Sequence, residues 1–145
     1  MNNADTNKLE ELRAYNQALE DSLEYQSILS EVMKEVYTIY VNERLESLES
    51  FLESEKDNPY FSQPIIPDDL PFGSPQDVLS EIDEAKMKVL IAKEYMPDNP
   101  QMAASVLEQL GSCHRIWSMQ KTILKEKYGI TWYTPAELNP DIIFD

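Results

Sequence analysis

The chain holds one histidine and one cysteine, and they are neighbours, Cys113 and His114. A thiol activated by imidazole is a common nucleophile. Adjacent helical positions point about 100° apart, however, so these two side chains face each other poorly. Cys113 also follows the apolar Leu110 by three residues, which suits a small packed thiol better than a reactive one. His114, Trp117 and Lys121 form a more coherent set. They fall at i, i+3 and i+7 on one side of a helix, with Ser118 beside them, while Arg115 faces elsewhere. Such a face could bind an anion or the acidic part of a partner, with the indole as an apolar platform.

In the enzymatic version, a polar pocket forms around these residues with Tyr128 or Trp132. His114 moves the proton and Lys121 anchors charge. In the plainer version Trp117 is core, and His114 hydrogen-bonds to an adjacent helix or a terminal carboxylate. The pattern favours the plainer version, so catalysis is not the expected activity.

Other chemistry finds little footing. There is no His-Glu-x-x-His motif, and one histidine among scattered carboxylates gives no diagnostic ligand set. Glu20 and Glu24, like Glu31 and Glu35, lie at i and i+4, but the Glu-x-x-His pairs of a four-helix carboxylate centre are absent. The three glycines, Gly73, Gly111 and Gly129, are too far apart to make a phosphate-cradling loop. No metal and no cofactor are expected.

The charge points to partners instead. Twenty-seven acidic and twelve basic side chains leave a formal charge of -15 on 145 residues. Such a surface repels phosphate backbones and anionic lipid heads, which argues against direct nucleic-acid or membrane binding. It could attract a basic protein, whereas in the plainer reading, which acidity alone favours, the acids simply keep the chain in solution. Residues 1–60 carry fourteen acids and five bases, a net of -9, whereas residues 99–145 carry five acids and four bases, a net of -1. The acidic amino-terminal helix could therefore pair with the basic cluster between Arg115 and Lys127, in the same molecule or in a second copy.

The elements that position these groups read as helices. Leu9, Leu12, Leu19, Leu23, Leu29, Met33, Val36 and Tyr40 recur mostly at three- and four-residue steps, and Leu45, Leu48 and Leu52 continue the series. No glycine or proline interrupts residues 8–57. A helix of about 45 residues would extend roughly 70 Å, which suggests coiled-coil pairing, a hairpin or a bend. Asn16, Gln26 and Ser30 spoil the heptad seam, and Asn42 is the weakest point, so a bend is expected there. Asn7 and Glu10 suit a reciprocal cap, with residues 1–7 frayed ahead of it.

Residues 58–73 carry Pro59, Pro64, Pro67 and Pro71 and read as an extended strap pinned by Tyr60, Phe61, Ile65 and Ile66. Ser74-Pro75 opens a helix with Val78, Leu79, Ile82, Ala85, Met87, Val89, Leu90 and Tyr95 on its apolar side, stopped by Pro97. Asn99-Pro100 opens the next, with Ala103, Val106, Leu107, Leu110, Trp117 and Leu124. Gln120 interrupts that stripe, and Gly111 marks either a close approach or a break. Gly129 closes the helix, Thr134-Pro135-Ala136-Glu137 caps a final turn, and Ile142, Ile143 and Phe144 should dock as a tail.

The expectation is thus a single all-α domain spanning residues 1–145. It comprises residues 8–57 as one long helix, straight or bent, or as two helices, then a proline-rich strap, two further helices and a capped terminal turn with a docked tail. No segment is long and apolar enough to span a membrane, and the amino terminus lacks a signal-peptide pattern, so a cytoplasmic setting is expected. The expected role is non-catalytic protein recognition, assembly or regulation, with homodimerisation open. Tyr37, Tyr40, Phe51, Tyr60 and Phe61 are the candidate partner anchors, and His114, Trp117, Lys121 and Trp132 the candidate ligand set. The remaining alternative is an acidic inhibitor that imitates nucleic-acid charge, which needs carboxylates at phosphate-like spacing on one exposed face.

Overall fold

The computed structural model describes residues 3–58, 75–108 and 111–144, and the side chains of 6–58, 81–108 and 111–144. The fold is all-α. Among the described residues there are six helices and no strand: α1 (Asn3–Asp21), α2 (Leu23–Glu55), α3 (Pro75–Tyr95), α4 (Pro100–Leu107), α5 (Ser112–Tyr128) and α6 (Pro135–Leu138). The expected strap, apart from Asn58, lies outside the described residues, as do Tyr60 and Phe61.

The long apolar run breaks at Ser22 rather than at Asn42. The Ser22 hydroxyl donates to the Leu19 carbonyl at 2.6 Å and accepts from the Tyr25 amide at 3.2 Å. It therefore closes one helix and caps the next, which serine does well and an exposed mid-helix asparagine does not require. Asn42 is exposed and α2 passes through it unbroken for 33 residues. The amino-terminal expectation shifts as well. Asn7 is inside α1, which begins at Asn3, so neither the cap at Asn7 nor a frayed stretch up to that point is seen.

The second long run divides at Gly111. Its φ of +82° is left-handed, a conformation glycine enters without the steric cost of a Cβ. The expected two helices after the strap are consequently three. Asn99 Oδ1 accepts from the Met102 amide at 3.1 Å, so the cap-and-proline start of α4 holds. At the end of α5, Gly129 has φ +67°, with its amide on the Lys125 carbonyl and the Ile130 amide on the Leu124 carbonyl. Those two crossed bonds satisfy carbonyls that the helix end would leave orphaned.

The chain divides into two compact units, residues 1–40 with 108–145, and residues 41–107. In the first, α2 buries Tyr25, Val32, Val36 and Tyr40, α5 buries Met119, Ile123 and Leu124, and Trp132 is buried beyond α5. Gln120 is also buried there, and its amide donates to the Tyr25 hydroxyl at 3.0 Å. Burial, then the nearby Glu20, raise the Tyr25 pKa, while the Gln120 bond opposes them. Removing either partner alone should cost about 1–2 kcal/mol, whereas the double variant Tyr25→Phe with Gln120→Leu should cost less than the two singles together. Urea unfolding of the three variants measures that coupling.

In the second unit Val41, Leu45, Ile82, Ala85, Val89, Ala92, Ala103, Ala104 and Leu107 are buried. Here α3 and α4 pack against each other, and four of the buried residues are alanines, which let helices approach closely. Met87, Leu90 and Tyr95, expected on the inner side of α3, are exposed. The buried positions 82, 85, 89 and 92 follow helical spacing without them.

Candidate functional site

Helix α5 does place His114, Trp117 and Lys121 along one side, but that side is occupied by the chain's own end. His114 Nε2 lies 2.7 Å from the Phe144 carbonyl oxygen. A carbonyl only accepts, so Nε2 carries the proton and donates. The Trp117 indole meets the Phe144 ring edge-on with centroids 5.2 Å apart, and the His114 ring at 5.6 Å. Thus Phe144 docks as expected, while Ile142 and Ile143 do not. They are 55% and 89% exposed. The apolar hold on the tail comes from one aromatic ring, and the two isoleucines face outward.

Lys121 serves a different point on the same segment. Its Nζ donates to both Glu137 carboxylate oxygens at 2.7 Å and lies 5.2 Å from the centre of the Tyr133 ring. Thr134 and Glu137 complete the expected capping box: each side chain accepts from the other's backbone amide. Trp132 is buried, and its indole N–H donates to Glu20 Oε1 at 3.1 Å. Tyr128 is exposed and lines a hollow beside α2. The expected His114, Trp117, Lys121 and Trp132 set is therefore distributed over three separate anchor points, Phe144, Glu137 and Glu20. Cys113 is half-buried.

Burial pushes the Glu137 pKa up, but the Lys121 ammonium and the Thr134 backbone and hydroxyl outweigh it and leave the carboxyl below its usual 4.5. A folded-state value below the unfolded one stabilises fully above the unfolded value and is lost as pH falls through the folded value. Acidification below the usual carboxylate range should therefore loosen the α6 turn. Glu137→Gln should flatten that acid dependence, read from the backbone amide resonances at positions 134 and 137.

The residue whose role the sequence pattern did not reveal is Asn16. Taken as a flaw in a coiled-coil seam, it is 3% exposed and pairs with backbone. Its Nδ2 donates to the Tyr133 carbonyl at 3.0 Å and its Oδ1 accepts from the Tyr133 amide at 2.8 Å. This two-pronged bond gives an extended segment the partners that a neighbouring strand would supply. Nearby, Arg13 Nε donates to the Leu138 carbonyl and the Tyr15 hydroxyl to the Thr131 carbonyl. A polar residue at a core register position was the available signal.

Of the expected partner anchors, Tyr40 is 3% exposed and belongs to the core of the first unit. Tyr37 and Phe51 are half-buried. Burial, then the charge of Glu108, raise the Tyr37 pKa.

The Lys127–Glu35 ion pair at 2.5 Å links α5 to α2. The pair borders two open hollows of about 330 Å³ each, one also lined by Ile39, Met119 and Ile123, the other by Ile39 and Tyr128. Here a lysine of the basic cluster meets the acidic amino-terminal half within one molecule. No group of histidine, cysteine and carboxylates that could hold a metal occurs among the described residues. No helix there is long and apolar enough to cross a membrane. Comparison with family models, characterised proteins and solved structures finds no match.

Proposed function

We propose that this chain is a non-catalytic recognition protein whose acidic helices bind a basic partner protein. One observation carries the reading. The side chains best suited to chemistry, His114, Lys121 and Trp132, are each bonded to the chain's own Phe144, Glu137 and Glu20. By contrast Glu10, Glu11, Glu24, Glu31 and Glu46 lie exposed along α1 and α2. Carboxylates left to solvent on a chain of charge -15 raise the local concentration of cationic partners and speed their encounter.

Affinity capture from native lysate at low and high salt tests the reading. A partner held by the wild-type chain at low salt, and lost when those five glutamates become glutamines, would support it. A partner set unchanged by that substitution would overturn it. So would a turnover abolished by His114→Ala with circular dichroism and melting unchanged.

A further inference from the structure

Helix α3 carries a second apolar edge, remote from its buried one. Met87 is 62% exposed and Leu90 is 70% exposed, three residues apart on the same face. Asp83 lies one turn before Met87, and Glu94 one turn after Leu90. The stripe therefore reads carboxylate, apolar, apolar, carboxylate at i, i+4, i+7 and i+11. Both acids are exposed and form no ion pair among the described residues. The lysines alongside are occupied: Lys88 pairs with Glu84 at 3.0 Å and Lys93 with Glu49 at 2.5 Å. The half-buried Lys86 is likewise engaged.

We infer that this face of α3 is the docking site for a basic amphipathic helix of the partner protein. The inference rests on the recognition reading above and gives it a location. Two neighbouring apolar side chains offer an anchor for residues at i and i+3 or i+4 of a partner helix. Asp83 and Glu94 then meet lysines or arginines one turn beyond that anchor at each end. The same charges select against other occupants. An anionic membrane is repelled, and an antiparallel second copy of α3 would set Asp83 against Glu94.

The test uses the full chain and a fluorescent synthetic helix of about five turns, with leucines at i and i+3 and lysines one turn outside them. Controls carry serines for the leucines, or glutamates for the lysines. Anisotropy should show binding of the leucine–lysine peptide and of neither control. Met87→Ser with Leu90→Ser should weaken that binding roughly tenfold or more, because the anchor burial is lost. Asp83→Asn with Glu94→Gln should weaken it about two- to fivefold at low salt and leave it little changed at high salt. All four positions are exposed, and circular dichroism verifies that the variants fold. Wild-type chain that fails to bind the peptide, or variants that bind it equally, would overturn the α3 assignment. The recognition reading would then still stand or fall by the glutamate substitutions on α1 and α2. Light scattering that shows self-association abolished by Met87→Ser with Leu90→Ser would assign the face to a second copy and also overturn it.

Discussion

Replacing Asn16 with alanine is expected to destabilise the first unit by about 2–4 kcal/mol, the largest effect of any polar substitution there. The substitution removes a donor and an acceptor at once. The Tyr133 amide and carbonyl are left with no partner, at a position whose side chain is 3% exposed. It also frees Glu20 Oε1 from one of its two donors, Asn16 Nδ2, while Trp132 Nε1 remains. Asn16→Asp should not rescue. It keeps the acceptor for the Tyr133 amide but sets a carboxylate against the Tyr133 carbonyl and against Glu20. Urea unfolding should show the midpoint fall for both variants. A loss below about 0.5 kcal/mol for Asn16→Ala, the range of ordinary surface substitutions, would mean that the clasp contributes nothing.

Leu124→Ala should cost about 3–5 kcal/mol, because the side chain is wholly buried and close-packed surroundings collapse only partly into the space. The expected fall in melting temperature is roughly 10 °C or more. Two controls bound the claim. Leu124→Met, which conserves volume, should cost less than about 1.5 kcal/mol. Leu23→Ala should lie within about 0.5 kcal/mol of wild type, since Leu23 is 83% exposed at the start of α2. Equal losses at Leu23 and Leu124 would contradict the placement of the core.

Those two leucines also mark how far the sequence could be read. Both belong to helical-period apolar series, and the period correctly gives helix for each. It does not reveal which apolar residues face inward. That depends on where the helices meet, so Leu23, Met87 and Leu90 were expected inside and are outside. Capping is a local signal and was legible at Pro75, Asn99-Pro100, Gly129 and Thr134-Glu137, which begin or end helices as read, but not at Asn7, which lies inside α1. The break at Ser22 was not, because a serine in a helical pattern stays solvated or caps depending on whether its hydroxyl reaches a backbone group.

The helical placement of the candidate residues was legible, and their contacts across the chain were not. Helical spacing correctly grouped His114 and Trp117, which touch each other. Their common neighbour Phe144 is thirty residues beyond His114, and no local rule connects them. Asn16 illustrates the same limit. A buried amide at a seam position announces a polar partner, but the partner is a backbone segment 117 residues away.

The most direct measurement is a nuclear Overhauser spectrum of the free protein, recorded across its aromatic resonances. If the terminal segment occupies the only histidine-bearing face, ring protons of Phe144 will show contacts to the Trp117 indole and the His114 imidazole. A Phe144 ring without contacts to either would contradict that occupancy.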